Sequence, residues 1–278
     1  MQGFNKYLAG PDSFFLNLHM ADNLRIAIAQ ADLQWEDREG NLRLLQDLVD
    51  QGSEDVDLII LPEMFTTGFS MNAKALAEPP QGTSYRWMCE LASRKNAAVT
   101  GSIITTENGS YYNRLYFVYP DGQFKTYDKR HTFTFAGEHE TYSRGKDGLV
   151  VDYKGWRICP LICYDLRFPV WSRNTEQYDL LVYVANGPST RISAWDVLLQ
   201  ARAIENMSYC AGVNRVGRDG KDLEYTGHSA IYDCLGKPLW EELPQKQMLA
   251  RATLSKEHLQ KFRNQLRFLQ DADSFTLG

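Results

Sequence analysis

The apolar positions along the chain fall into two rhythms. "LRIAIAQADLQW" and "VDLIILPE" are dense in apolar residues, the pattern of strands buried on both faces. Between them, "REGNLRLLQDLVDQG" sets Leu42, Leu45, Leu48 and Val49 at helical spacing and stops at Gly52. "TSYRWMCELASRKN" predicts a second helix, capped by Thr83 or Ser84, and "AAVTGSII" a strand. "YYNRLYFVYPDGQFKTYDKRH" reads as two strands joined at Asp121-Gly122, and "LVVDYKGWRICPLIC" repeats the hairpin with a turn at Lys154-Gly155. "YDLLVYVANG" predicts a strand, "SAWDVLLQARAIENMS" a helix and "YCAGVNRVG" another strand. "HSAIYDCLGKPLWE" predicts two more strands with Gly236 in the turn, then "MLARATL" a last strand and "SKEHLQKFRNQLRFL" a last helix. Strands and helices alternate early, with hairpins inserted and no linker or repeat, so the expected architecture is one α/β domain with mixed sheets.

Composition narrows the class. At 44% hydrophobic and 23% charged residues, the chain has ordinary globular usage, which argues against disorder and coiled coil. The net charge of −5 and the lack of a long basic run argue against nucleic acid as a partner. No apolar run approaches the roughly 18 residues of a membrane span. The start, "MQGFNKYLAGPDSFFLNLHM", does not read as a signal peptide, and Met20 opens a second plausible beginning. Residues 1–19 are therefore expected to be an extension without an assigned role, and 20–278 a single domain. Five cysteines, odd in number and irregular in spacing, predict a reduced, cytoplasmic protein.

Three reactive residues lie at predicted strand ends: Glu63, Lys129 and Cys163. The apolar run "LIC" breaks at Cys163 into "YDLRF", which predicts a strand handing over to a helix. Such a turn exposes the thiol and leaves the Tyr164 N–H without a helical acceptor. A helix N-terminus would also lower the thiol pKa and favour an oxyanion. The plain alternative for Cys163 is a core cysteine, and for Lys129 a solvated hairpin lysine beside Asp128 and Arg130. Glu63, directly after "LIILP", is a carboxylate at the edge of a buried strand, the setting of a general base. Cys159, four residues before Cys163, is expected only to pack. His131, Glu138, His139 and Glu140 are conceivable metal ligands by residue type, but their spacing matches no tight zinc pattern. No G-x-S-x-G elbow, Walker loop or G-x-G-x-x-G occurs. The aromatic residues of "SAWDVLLQ" and "YYNRLYFVY" are expected in core or interface rather than as stacking platforms.

In this order, the three residues resemble the Glu–Lys–Cys triad of the nitrilase superfamily of carbon–nitrogen hydrolases. "AIAQADLQWEDREGNLR" is similar to that family's opening strand and helix. "LIILPEMFTTGFS" resembles its glutamate motif, "YDKRH" its lysine motif and "ICPLICYDLRFP" its cysteine motif. "LLQARAIENMSYCAGVNRVG" and "GHSAIYDCLGKPL" match later signatures, so the resemblance covers roughly residues 23–255. The family's second glutamate falls in "FAGEHE", as Glu138 or its competitor Glu140.

The resemblance implies a four-layer αββα sandwich, two mixed sheets flanked by helices, and pairing through helices as a homodimer. It implies an amidohydrolase working through a cysteine thioester, with water and a small amide as substrates and no metal or organic cofactor. Glu63 would be the base, Cys163 the nucleophile, and Lys129 with the Tyr164 N–H the oxyanion donors, while Glu138 orients Lys129. "CYDLRFP", "TFAGEHE" and "ARAIENMSYCAGVNRVG" resemble the ω-amidases, which act on 2-oxoglutaramate or 2-oxosuccinamate. An N-carbamoyl amine hydrolase or a nitrilase is the alternative within the family, and a binding or redox-sensing protein with Cys163 as sensor the alternative outside it. An acidic substrate needs an anchor. Arg167 is the candidate, against a structural ion pair with Asp165 or Glu138. Arg191 stands in reserve, with Asn186 as a neutral donor.

Overall fold

The computed structural model describes residues 23–52, 55–240 and 245–277. The extension expected at residues 1–19 lies outside the described residues. The first half of the chain runs β1 (Asn23–Gln30), α1 (Arg38–Asp50), β2 (Leu58–Ile60), α2 (Ala73–Leu76), α3 (Thr83–Lys95), β3 (Ala98–Glu107), β4 (Ser110–Val118), β5 (Phe124–Asp128) and α4 (Glu138–Thr141). The second runs β6 (Val151–Tyr153), β7 (Trp156–Ile162), β8 (Leu180–Val184), α5 (Ile192–Asn206), β9 (Tyr209–Val213), β10 (Val216–Arg218), β11 (Glu224–Thr226), β12 (Ala230–Tyr232), β13 (Met248–Ser255) and α6 (Lys256–Leu266).

Two mixed sheets result. The larger has the order β13-β1-β2-β3-β4-β5 and the smaller β12-β9-β8-β7-β6. In each, the central strands are parallel: β1, β2 and β3 in one, β7, β8 and β9 in the other. Antiparallel neighbours close the flanks. Parallel strands are buried on both faces, which explains their unbroken apolar runs. Alternation along each strand then sorts the side chains. Ile26, Ile28, Leu58 and Ile60 pack against Ile158, Leu180 and Val182 of the other sheet. Ala29, Ile59 and Leu61 face the opposite way, onto Leu45 and Leu48 of α1 and Met88 and Leu91 of α3. On the far side, α5 lies so close to β9 that a Cβ on Gly212 would stand 2.3 Å from Leu199 Cδ1. This is the expected αββα sandwich. Among the described residues, no helix is long and apolar enough to cross a membrane.

The structure departs from the pattern at four places. The residue capping α3 is Gly82, with no side-chain cap; Ser84 instead gives its N–H to Glu78 Oε2 at 2.8 Å, and its hydroxyl also meets that carboxylate. "YCAGVNRVG" splits into β9 and β10, because Asn214 and Arg215 turn the chain between them. The second strand expected in "HSAIYDCLGKPLWE" shrinks to one bridge, Tyr232 to Pro238. Proline has no N–H to give a ladder. No α-helix follows Cys163; Cys163–Arg167 is a single 3₁₀ turn. Pro169 ends it, since the residue before a proline disfavours helical backbone.

Leu45 is fully buried in the layer between α1 and the larger sheet. Leu45→Ala should cost about 2–5 kcal/mol, seen as a lower urea midpoint. Hydrolytic rate per folded molecule should not change, because α1 contributes nothing to the pocket described below.

Candidate active site

The carboxyl ends of the parallel strands in both sheets point to one edge of the sandwich, the usual place for a site in such sheets. Glu63 follows β2, Cys163 follows β7 and Asn186 follows β8. Lys129 follows β5, where its N–H donates to the Asn113 carbonyl (3.0 Å) and its carbonyl accepts from the Gly145 N–H (2.9 Å). Gly145 is required there: an added Cβ would lie 2.0 Å from the Asp128 carbonyl oxygen.

Glu63 and Glu138 are fully buried and Lys129 nearly so. The Lys129 ammonium donates to Glu63 Oε1 at 2.8 Å and to both oxygens of Glu138 at 3.0 Å. Further donors meet the same carboxylates. Asn113 Nδ2 donates to Glu63 Oε1 (2.8 Å) and Glu138 Oε1 (3.2 Å). The Asn186 N–H donates to Glu63 Oε2 (2.9 Å), and the Phe133 N–H to Glu138 Oε2 (2.5 Å). Burial alone would lower the lysine, but the charges of Glu138 and Glu63 outweigh it and hold the ammonium above the ordinary lysine range. Burial likewise pushes the Glu138 carboxyl up.

Cys163 is the first residue of its turn, at φ +42°. That left-handed conformation is uncommon for a residue with a side chain and marks functional sites. Burial pushes its thiol well above the ordinary cysteine range, and the Glu63 carboxylate adds to this; Lys129 and the Asn186 amide only partly offset them. This corrects the expectation of an activated thiol at a helix N-terminus. A five-residue 3₁₀ turn has no appreciable dipole, so the proton stays on sulfur until a base takes it.

Glu63, Lys129 and Cys163 form the floor of a cavity of about 250 Å³. Phe69, Phe133, Tyr164, Trp195 and Tyr225 wall it, and Phe135, Arg167, Arg191, Asp219, Lys221 and Leu223 contribute to its lining. The Tyr164 ring packs on Phe133 and Phe168 at 4.8 and 5.1 Å. Its N–H, in the first turn after β7, has no acceptor within that turn.

The other sequence candidates sort clearly. Glu138 reaches Lys129, whereas Glu140 is exposed at the surface near His139. The residues weighed as metal ligands do not converge, because His131 is held by Asp165. Arg167 forms no ion pair with Asp165 or Glu138, whose oxygens are taken by other groups; it is exposed and lines the cavity. Arg191 lies 4.9 Å over the Phe133 ring. Asn186 lines the cavity too, but its Nδ2 donates to the Glu63 carbonyl, so its amide serves the base more than a ligand. Cys159 is buried on the α5-covered face of the smaller sheet, in register with Leu181 and Cys210. Sequence reading missed Asn113 and Lys221. An asparagine inside the apolar run of β4 was the available signal for the first. Lys221 gave none, since only the β10–β11 hairpin brings it over the cavity.

A family model described as carbon-nitrogen hydrolase matches residues 25–264. The chain belongs to the carbon–nitrogen hydrolase family. It is 44% identical to a protein of Yersinia enterocolitica named omega-amidase YafV, over 91% of this chain and 98% of that one. It is 33% identical to a 2-oxoglutaramate amidase of Bacillus subtilis, over 78% and 85% of the two chains. A solved structure from Xanthomonas campestris, a CN-hydrolase superfamily protein with an arsenic adduct in its active site, superposes with a TM-score of 0.89. It is 43% identical and covers 92% of this chain and 99% of its own.

A thiol raised by burial predicts a distinct alkylation profile for this carbon–nitrogen hydrolase. The rate of Cys163 labelling by iodoacetamide should keep climbing above pH ~8.5, the ordinary cysteine value. Mass spectrometry of the labelled peptide gives the rate. A plateau below that pH would mean a preformed thiolate.

Proposed function

We propose that this hydrolase is an ω-amidase, releasing ammonia from the terminal amide of a 2-oxo acid such as 2-oxoglutaramate or 2-oxosuccinamate. The observation that carries the reading is a buried ammonium between two carboxylates, on the floor of an apolar cavity that also holds Cys163 and is lined by cations. The similarity to omega-amidases and 2-oxoglutaramate amidases supports the same substrate class.

Glu63 takes the Cys163 proton as sulfur attacks the amide carbonyl. Negative charge gathers on the carbonyl oxygen, where the Lys129 ammonium and the Tyr164 N–H stabilise it. Each such donor is worth about 3–4 kcal/mol when aimed at the developing charge. Glu63 passes its proton to the departing nitrogen, ammonia leaves, and a thioester remains. Glu63 then takes a proton from water as the water attacks the thioester, the C–S bond breaks, the acid is released, and Glu63 returns the proton to the Cys163 sulfur. Glu138 holds Lys129 in place throughout. No step calls for a cofactor. Two arginines support an acidic substrate. Arg167 and Arg191 line the cavity without a carboxylate partner among the described residues, and a planar guanidinium can bind both oxygens of a carboxylate. The redox-sensor reading is disfavoured, because sensor cysteines are exposed and of low pKa, and burial here does the reverse.

We also propose that residues 20–278 work as one catalytic domain, since both sheets supply the site. Five free cysteines support a cytoplasmic location. A homodimer formed through α5 is supported by an apolar patch: Val197 and Ile204 are 66% and 46% exposed, one below the other on the helix, and Leu235 is 41% exposed. A Cβ on Gly236 would lie 2.6 Å from Ile204 Cδ1, so the turn carrying Leu235 continues the patch.

Ammonia release from 2-oxo acid ω-amides, glutamine, N-carbamoyl amines, simple nitriles and small neutral amides tests the chemistry and the substrate together. Cys163→Ala should abolish turnover. Glu63→Gln and Lys129→Met should each lower it by at least about 10²–10³. Arg167→Lys or Arg191→Lys should cost far more on the 2-oxo acid amides than on neutral amides. Equal loss on both classes would remove the arginine concerned as the carboxylate anchor. For the dimer, Val197→Glu with Ile204→Glu should halve the mass seen in sedimentation equilibrium; an unchanged mass would exclude this face.

A further inference from the structure

Lys129 and Cys163 stand on different sheets. Lys129 ends β5, the edge strand of the larger sheet, and Cys163 ends β7 of the smaller one. Among the described residues no hydrogen-bonded ladder joins the two sheets, and apolar packing between them is non-directional. The reaction nevertheless needs ammonium and sulfur fixed to within about 0.5 Å.

Beside the Asn186 link from the end of β8 to Glu63, one carboxylate ties the two strand ends directly. Asp165, two residues after Cys163, is fully buried. Its Oδ1 accepts from the His131 N–H (3.0 Å) and lies 2.8 Å from His131 Nδ1. Its Oδ2 accepts from the Tyr127 hydroxyl (2.8 Å) and the Ile162 N–H (3.1 Å). Tyr127 and His131 flank Lys129 two residues to either side, and Ile162 directly precedes Cys163. The brace is itself held. The Tyr127 oxygen accepts from the Arg130 N–H (3.2 Å) and Trp171 Nε1 (3.0 Å). The His131 ring stacks on Phe168 with centroids 3.7 Å apart and planes at 6°. A carboxylate offers about four lone-pair sites, and protein groups fill all of those on Asp165, so it has none for substrate.

We infer that Asp165 is a positioning residue that sets the separation of the Lys129 ammonium and the Cys163 sulfur by tying both strand ends to one carboxylate. This rests on the Glu63–Lys129–Cys163 reading above. The competing account is a buried carboxylate that supports folding alone. The two differ in what they do to a correctly folded molecule. A misplaced oxyanion donor slows the chemical step and leaves substrate binding in the outer cavity intact.

The test compares kcat and KM of Asp165→Asn, Tyr127→Phe and His131→Asn on one accepted amide, each normalised to the titrated Cys163 thiol. Asp165→Asn keeps the shape but turns an acceptor into a donor facing donors. Its kcat should fall by up to about 10²-fold, the penalty of a misplacement near 1 Å, with KM held within about threefold. Tyr127→Phe removes one of the four bonds to Asp165, together with the acceptor of the Arg130 N–H and Trp171 Nε1, and should give a smaller fall of the same kind. If Asp165→Asn does not fold, Tyr127→Phe and His131→Asn decide. Leu45→Ala serves as a destabilised control whose kcat per folded molecule stays at the wild-type value. A kcat within about threefold of wild type in the folded variants, or a loss confined to KM, would overturn the assignment. Cys163→Ala, assayed alongside, separates the failures: if it is active the triad reading fails, and if it is inactive the fault lies with the brace.

Discussion

The Lys129 ammonium sits where water is largely excluded, and two carboxylates meet it at 2.8 and 3.0 Å. Burying three charges costs several kcal/mol per ion unless every lone pair and hydrogen finds a partner. Much of the surrounding structure serves that demand. Asn113 bridges both carboxylates, the Asn186 N–H reaches Glu63, and the Phe133 N–H closes the loop onto Glu138. With one positive and two negative side chains, the cluster leaves a negative charge near sulfur. That excess, with burial, keeps the Cys163 thiol protonated at rest. On the proposed mechanism the nucleophile is therefore formed on demand, by transfer to Glu63, rather than standing as a reactive thiolate.

Meeting those contacts imposes strain on the backbone. Both Cys163 and Met64, the residue after Glu63, adopt φ near +42°. The chain must turn sharply at the ends of β2 and β7 to aim Glu63 and Cys163 into one cavity. Such conformations persist only where the surroundings over-determine them. Here Ser102 Oγ accepts from the Met64 N–H at 2.8 Å, and Asp165 accepts from the Ile162 N–H beside Cys163. Rigid strands supply the anchor points, and short turns supply the direction.

The cavity adds a third layer of control. Its walls are aromatic, while Arg167, Arg191 and Lys221 reach its lining from the cysteine turn, the loop before α5 and the β10–β11 hairpin. Asp219 shares that lining, but its oxygens are taken by the N–H groups of Lys221 and Leu223 and the hydroxyl of Tyr225. The opening therefore attracts anions, and the floor carries out the chemistry.

The sequence by itself determined the layers and picked out three residues that meet at one cavity. Apolar runs in "LRIAIAQ", "VDLIIL" and "YDLLVYV" specify buried strands, because a strand covered on both faces has no polar side. Glycine at Gly122 and Gly155 placed the hairpin turns, since both take the left-handed backbone. Glu63, Lys129 and Cys163 were legible because each sits in a local motif at a strand end. What lay beyond local reach came out differently. The helix expected after Cys163 is a short turn, and the thiol expected to be activated is suppressed, because burial by distant strands, and then the charge of Glu63 a hundred residues away in sequence, set its environment. The choice of Glu138 over Glu140 is likewise tertiary, as only one of them faces the lysine. Asn113, Asp165 and Lys221 matter through partners from other segments, and no window of neighbouring residues contains those partners. Local patterns fix where the chain is straight, coiled or turned; the fields and hydrogen bonds that govern a reaction arise only where distant strand ends converge.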